Sequence, residues 1–219
     1  MKKINFLLLT VIVISCTSCL HYEQITSLKI DGTGKMFIHY WTSWKSDKDS
    51  VIFKDLGMFN PDSLYKEFDT SFTEINFVEV YKDEEDSTFH AKIEFTFDNF
   101  DSLKYISALN YCEFSFRDGA DNTKIFSQFI PSFATGFGIG KQKYSITYTY
   151  YIPGDILEHN AMERDNNKLV WQYTHDEIGR GQYIYASFKP FKLKETPVWI
   201  YIIASMILLV VVVYLFKKK

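Results

Sequence analysis

The stretch TFHAKIEFTF, residues 88–97, decides the class of fold. Its polar and apolar side chains alternate without a break, so one set can face a core while the other faces solvent. This period of two residues is typical of a half-buried β-strand, whereas an α-helix needs a period of 3.6. Residues 74–81 are the other predicted strand, and the acidic residues 83–86 between the two runs suit the tip of a turn. The two runs therefore predict a β-hairpin.

Several other strands are predicted on either side of this hairpin. Residues 21–30 and 35–43 flank Asp31-Gly32-Thr33-Gly34, and glycines between two alternating runs favour a tight turn. Turn-forming residues also separate five further predicted strands, at residues 111–117, 124–130, 144–152, 168–174 and 182–188. Aromatic residues make up 18% of the chain, with 20 Phe and 15 Tyr, which suits a protein rich in strands.

Two short helices are predicted between the strands. Asn60 can cap a helix at its start, Pro61 suits the first turn, and apolar residues follow at helical spacing. Residues 101–109 carry regularly spaced apolar residues on one side and predict a second helix. We therefore predict an α+β domain over residues 19–190, built mainly from antiparallel β-sheet with two short helices.

Residues 1–18 have the organisation of a secretory signal peptide. A basic Met-Lys-Lys start precedes an apolar stretch, residues 4–14, which is too short to span a bilayer comfortably. A serine stands immediately before Cys16 and before Cys19, which resembles the lipobox of bacterial lipoproteins, where the cysteine after the cleavage site carries a lipid. Cys16 is favoured as the acylated (palmitate-bearing) residue because the apolar Val13 precedes it by three positions, and Cys19 is the alternative. An ordinary secretory signal and an uncleaved anchor are the other interpretations.

The carboxy-terminal residues predict a membrane anchor. Residues 198–216 carry no charge over 19 positions, and three lysines follow at once. Such a helix measures about 28 Å, close to the roughly 30 Å hydrocarbon core of a bilayer. Lysines beside a span favour the cytoplasm, so residues 217–219 are predicted as a cytoplasmic tail, 191–197 as a short tether, and the domain as extracytoplasmic. A buried core helix is the alternative.

Composition and motifs argue against several classes of function. The net charge of −3 provides no cationic field for nucleic acid. The five histidines lack metal-binding spacings, and the glycine-rich residues 136–141 lack the spacing and the Ser or Thr of a phosphate loop. We therefore expect no metal, no cofactor and no catalytic residue. Cys112 and the cysteine that is not lipidated could pair in an oxidising compartment.

The many aromatic residues on the predicted strands still need an interpretation. Tyr148 and Tyr150 lie on one face of a predicted strand, Trp171 and Tyr173 on one face of another, and Tyr185 on a third. These five residues have two interpretations. They form a plain apolar core, or they line an apolar pocket in a curved sheet, since such residues line pockets for lipid-like ligands.

The order of these features resembles the LppM family of bacterial lipoproteins. The resemblance rests on a lipobox cysteine before the first strand, a carboxy-terminal membrane helix, and four short motifs: LKIDGTG at 28–34, IPG at 152–154, LVWQY at 169–173 and ASF at 186–188. It implies an α+β lipoprotein domain with a lipid-binding role, and it supplies no catalytic residues.

The sequence favours a non-enzymatic binding or structural module of the cell envelope. An amino-terminal lipid and a single-pass carboxy-terminal helix would hold it at the outer face of the cell membrane. The alternative is a carrier or sensor of a lipid or another apolar ligand in a pocket of the sheet, and an enzyme is the third hypothesis. Membrane lipid is the expected partner, nucleic acid is not, and no protein partner can be named.

Overall fold

The structure is a computed structural model that describes residues 20–43, 57–131, 144–191 and 198–217. These residues form the strands β1 (Leu20–Leu28), β2 (Gly34–Ser43), β3 (Thr73–Asp83), β4 (Thr88–Phe97), β5 (Phe114–Asp118), β6 (Lys124–Ile130), β7 (Tyr144–Tyr151), β8 (Gly154–His159), β9 (Glu163–Asp165), β10 (Lys168–Thr174) and β11 (Gln182–Pro190). They also form the α-helices α1 (Pro61–Phe68), α2 (His175–Ile178) and α3 (Val198–Lys217). The predicted signal peptide with Cys16 and Cys19, the glycine-rich loop and the predicted tether at 192–197 lie outside the described residues.

The strands form two sheets of different size. The larger sheet has seven strands in the order β3-β4-β2-β1-β7-β10-β9, and the smaller has four in the order β5-β6-β11-β8. Among the described strands every pairing is antiparallel except that of β1 with β7. In this parallel pair Leu20 lies beside Tyr144 at one end and Ser27 beside Tyr151 at the other. The predicted α+β class with mainly antiparallel sheet is confirmed.

Strands β8 and β9 are additional to the prediction. The three residues of β9 are Glu163, Arg164 and Asp165, and all are exposed. No apolar alternation marks such a segment in the sequence, and the strand exists because it pairs with β10. β8 follows Pro153 directly and pairs with the end of β11, where a bulge interrupts the register between Ser187 and Phe188.

Helix α1 confirms one of the two predicted helices. The side-chain oxygen of Asn60 accepts hydrogen bonds from the backbone N–H groups of Asp62 and Ser63, at 2.9 Å and 3.2 Å. Pro61 opens the first turn, where a missing N–H costs nothing. Leu64 and Phe68 are buried and hold the helix against the core.

The second predicted helix requires a correction. Two 3₁₀ segments cover this region, Phe100–Tyr105 and Ser107–Leu109, with Ile106 in an extended conformation between them. The buried residues here are Leu103, Ile106 and Leu109. They recur every three residues, and that period matches the three residues per turn of a 3₁₀ helix rather than the 3.6 of an α-helix.

The core lies between the two sheets. The larger sheet contributes the inward side chains of its central strands, with Met36, Ile93 and Phe95 fully buried. The smaller sheet contributes Phe126 and Phe188, which belong to the same apolar cluster. Since the inward residues alternate with outward polar ones along β4, the structure confirms the pattern from which the fold class was predicted.

Helix α3 carries apolar side chains along its length, and those that the structure describes are exposed. Within the described ranges, none of the helices meets the combined criteria of length and apolar content for crossing a bilayer.

Candidate functional site

Four of the five residues predicted to line an apolar pocket lie together in the interior. These four are Tyr148, Tyr150, Trp171 and Tyr173. They sit on β7 and β10, which pair directly, so that Trp171 lies beside Tyr148 and Tyr173 beside Ile146. Tyr185 does not join them, which corrects the prediction. It is 40% exposed, because the inward positions of β11 belong to Ile184 and Ala186.

The rings of the central residues pack against one another. The Tyr150 and Trp171 ring centroids are 5.8 Å apart with perpendicular planes, and Phe126 of the smaller sheet stacks on Tyr150 at 4.6 Å. Phe126 also meets Trp171 edge to face at 6.2 Å, and Phe100 meets Tyr150 at the same distance. Edge-to-face and offset-stacked contacts are favourable arrangements of aromatic rings. At this position the space between the sheets is therefore filled by the protein's own side chains.

The polar edge of Trp171 is also paired. Its indole N–H donates to the side-chain oxygen of Asn160 at 2.9 Å, and the same oxygen accepts the backbone N–H of Tyr185 at 3.0 Å. The Asn160 amide group in turn donates to the carbonyl of Tyr183 at 2.6 Å. Asn160 thus connects β10 of the larger sheet with β11 of the smaller one.

A buried network of polar side chains joins the two sheets a short distance away. The side-chain nitrogen of Gln24 on β1 lies 3.0, 3.2 and 3.3 Å from oxygens of Thr26, Tyr150 and Gln128, and its two hydrogens are shared among these three acceptors. The Tyr150 hydroxyl donates to the side-chain oxygen of Gln128, which lies on β6 of the smaller sheet. The Tyr22 hydroxyl donates to the side-chain oxygen of Gln24 at 3.3 Å. Burial raises the pKa of the Tyr150 hydroxyl well above its usual value, so it stays a neutral donor.

Sequence reasoning missed this network. Gln24, Thr26 and Gln128 occupy inward positions of their strands, where the alternating pattern calls for apolar residues. A polar residue at an inward position is the signal that could have pointed to it. Among the described residues no buried side-chain nitrogen or oxygen lacks a hydrogen-bond partner, so the network is complete without a ligand.

Cys112 lies beside this network as a buried thiol and forms no disulfide within the described residues. Burial raises its pKa to about 12, although a hydrogen bond with Gln128 acts in the opposite direction. Because the thiolate is the nucleophilic form of cysteine, this thiol is chemically quiet near neutral pH. The predicted alternative of a disulfide with Cys16 or Cys19 involves residues outside the described ranges.

The outer face of the larger sheet carries a row of stacked rings that we call the ring ladder. It consists of Tyr81, His90, Trp41 and His21, which face one another across β3, β4, β2 and β1, together with His39 beside them. The four cross-strand rings are nearly parallel. Successive centroids along the row are 4.7, 6.0 and 4.8 Å apart, with angles of 3°, 14° and 12° between the ring planes.

His39 ties the ring ladder together from the side. It stacks on Trp41 at 4.5 Å and on His90 at 5.3 Å. Its Nε2 lies 3.0 Å from Nδ1 of His90, whose Nε2 lies 2.7 Å from the hydroxyl of Thr88. A single strand does not reveal which residues of the neighbouring strands stand opposite, so the contact between His39 and His90 could not be predicted from the sequence.

Burial lowers the pKa values of the ladder histidines. For His39 burial is the largest cause, the charges of His90 and Lys92 act in the same direction, and the pKa falls to about 4. Burial also lowers the pKa values of His90 and His21. Around neutral pH these rings are therefore uncharged, which suits a stack of closely spaced rings.

The described residues contain no group of three or more His, Cys, Asp or Glu side chains placed to hold a metal ion. In the ring ladder only His39 and His90 bring ring nitrogens together, and these nitrogens bond to each other and to Thr88.

Comparisons with known proteins give little further information. No family model matches the chain, and no curated protein matches it. Among solved structures, the chain is similar to the folded domain of LppM from Mycobacterium tuberculosis, determined by NMR. That domain has a TM-score of 0.49 and 15% sequence identity, and the alignment covers 81% of this chain and 93% of that chain. This similarity is too low to assign the chain to a family or a function.

Proposed function

We propose that the chain is an extracytoplasmic module of the cell envelope that acts by binding or by structural support rather than by catalysis. The observation that carries the proposal is the filled interior. Four of the predicted pocket residues pack as a core, and the buried polar groups beside them are paired within the protein. At this position the interior is occupied by the protein's own side chains, so another molecule would meet the surface of the domain here.

The buried polar groups also favour a non-enzymatic role. Cys112 has a raised pKa, and the Tyr150 hydroxyl is held neutral by burial. An active site typically brings a nucleophile or acid–base group with a suitably tuned pKa to a cleft that substrate can reach. Cys112 and Tyr150 have the opposite properties.

The proposed attachment to the membrane rests on the sequence alone. Residues 1–18 with Cys16 or Cys19 support a lipid anchor, and the uncharged residues 198–216 with the lysines that follow support a single-pass anchor. The resemblance of the short motifs to the LppM family agrees with the lipoprotein part of the proposal. Membrane lipid is thus the proposed partner.

Lipid attachment is tested by expressing the chain in a bacterium fed with a clickable palmitate analogue. The wild type should incorporate the label, and Cys16→Ser should lose it while Cys19→Ser and Cys112→Ser retain it. Loss of label in Cys19→Ser alone would show that Cys19, the alternative cysteine, carries the lipid. Unlabelled wild type, or label in the Cys16→Ser/Cys19→Ser double variant, would contradict the lipid anchor.

Topology is tested with two reporters fused after Lys219. A reporter that is active only in the cytoplasm should be active there, and one that requires export should be silent. The reverse result would contradict the proposed single-pass orientation. It would not bear on the lipid anchor, which the labelling experiment tests separately.

A further inference from the structure

The ring ladder brings four titratable side chains, those of Tyr81, His90, His39 and His21, into one group of contacting rings. Three of its five rings are imidazoles, and each contacts Trp41: His21 from β1, His90 from β4, and His39 from the same strand β2. Ionisation of any of them places a charge within a stack of closely spaced rings. The ladder crosses β1, β2, β4 and the edge strand β3, so its state affects how four strands are held together.

The His39–His90 pair limits how many protons the ladder can hold. One hydrogen lies between Nε2 of His39 and Nδ1 of His90, which are 3.0 Å apart. A first added proton can go to a nitrogen outside this bond, and a charged ring can still donate to its neutral neighbour. A second added proton makes both rings cations, and then both facing nitrogens carry a hydrogen. No acceptor is left, so the bond between the rings is lost.

The surrounding charges do not remove this constraint. Lys92 lies on the same face of β4 and opposes protonation of both histidines, while Asp83 and Asp86 in the β3–β4 hairpin favour protonation of His90. Glu79 on β3 is 3.4 Å from Lys92, and the more distant Glu94 pairs with Lys35 at 2.7 Å. On β1, the charged residue Glu23 stands directly opposite His39 in the register, and Lys92 stands opposite His39 on β4.

We propose that the ring ladder is an acid-responsive element of the sheet. When both rings of the His39–His90 pair are protonated, their hydrogen bond is lost and two like charges face each other inside the stack. The contact between β2 and β4 then loosens at this end, and with it the hold on the edge strand β3. At neutral pH the hydrogen bond between His39 and His90 is intact, and the ladder keeps these strands together.

The direction of the pH dependence follows from the lowered pKa values. A histidine that is harder to protonate in the folded state stabilises the fold above its unfolded pKa of about 6.5. This stabilisation is lost progressively as the pH falls from there toward the folded value of about 4 for His39, and it levels off below that. Two coupled histidines should titrate in two steps that belong to the pair.

The experiment uses the full chain in detergent micelles. Nuclear magnetic resonance should show the His39 ring titrating well below about pH 6. Amide hydrogen exchange, corrected for the intrinsic pH dependence, should show protection of β3 and β4 falling at least about tenfold between about pH 7 and about pH 4. The His39→Phe/His90→Phe variant keeps ring stacking without titratable nitrogens, so its protection should fall clearly less.

Matched comparisons separate the ladder from general acid effects. Carboxylate protonation near pH 4 occurs in both proteins, so only the difference between wild type and the double variant belongs to the ladder. His159→Phe, outside the ladder, should respond like the wild type. Equal loss of protection in wild type and the double variant would overturn the proposal. If the double variant does not fold, a wild-type His39 ring that titrates at about pH 6.5 would overturn it equally.

Discussion

Trp171 shows how one side chain connects the two sheets. Its ring contacts Tyr150 within the larger sheet and Phe126 of the smaller one, and its N–H reaches Asn160. Its strand neighbour Gln172 points the other way and is exposed. The two adjacent positions therefore form a natural pair of a core substitution and a surface control.

We predict that Trp171→Ala lowers the free energy of unfolding by about 3–5 kcal/mol, because apolar burial is lost and a cavity remains. Gln172→Ala should change it by about 0.5 kcal/mol or less. Denaturant melts of both variants measure the difference. If Trp171 bordered a ligand cavity instead, its loss would cost less, and a membrane lipid extract would raise the melting temperature of the wild type but not of the variant. That result would favour the carrier hypothesis.

The buried thiol gives a second prediction at this scale. With Cys16 and Cys19 changed to serine, Cys112 is the only cysteine of the three. Its pKa of about 12 leaves very little thiolate at pH 8, so a thiol-reactive dye should label the folded chain at least about a hundredfold more slowly than the chain in denaturant. Rapid labelling of the folded chain would show that Cys112 is accessible and ionised.

Alternation along one strand predicts which residues share a face, and for Trp171 and Tyr173 it also predicts the buried face. It does not predict which residues of different strands meet. The ring ladder depends on the order β3-β4-β2-β1 and on a register that sets Trp41 beside both His21 and His90. The prediction that Tyr185 lines the interior is wrong for a related reason. Both faces of β11 carry apolar residues, so alternation does not show which face is buried.

At the scale of elements, helix α1 depends on its cap. We predict that Asn60→Ala lowers the free energy of unfolding by about 0.5–2 kcal/mol, because two backbone N–H groups lose their acceptor. Asn60→Asp keeps a side-chain oxygen in place and should be close to the wild type. Thermal melts followed by circular dichroism compare the three proteins, and equal losses in both variants would show that the cap oxygen is not what matters.

Local sequence signals account for most elements, and their failures have physical causes. β4, β6 and β10 have the predicted limits because each combines alternation with clear turn residues at its ends. The segment 101–109 has an apolar period of three residues. Over so short a segment, this period is close to the 3.6 residues of an α-helix, so the two helix types are hard to distinguish from the sequence. The parallel pairing of β1 with β7 joins segments more than one hundred residues apart, and no local pattern encodes it.

At the scale of the whole molecule, the Gln24–Tyr150–Gln128 network sets how the two sheets face each other. Tyr150→Phe removes the hydroxyl that bonds to both glutamines, and we predict a loss of about 1–3 kcal/mol. Gln128→Leu should also destabilise the protein. The double variant should lose less than the sum of the two, with a coupling of about 0.5–3 kcal/mol in urea melts.

A pair on opposite faces of the larger sheet provides the control for this cycle. Tyr150→Phe combined with Gln172→Ala should be additive within about 0.5 kcal/mol. Additivity of the Tyr150 and Gln128 substitutions as well would contradict the idea that the network acts as one unit.

The two ends of the folded domain leave at opposite poles. Tyr151 pairs with Ser27 at the far end of β1 from Leu20, and the N–H of Phe191 bonds to the carbonyl of Pro153 just beyond it. Strand β1 is about 26 Å long. The chain from Phe191 to Val198 can reach at most about 24 Å, and that from Cys16 to Leu20 about 14 Å. If both ends are fastened to one bilayer, these short reaches favour a domain that reclines, with its strands running along the membrane and one flank turned toward the lipid.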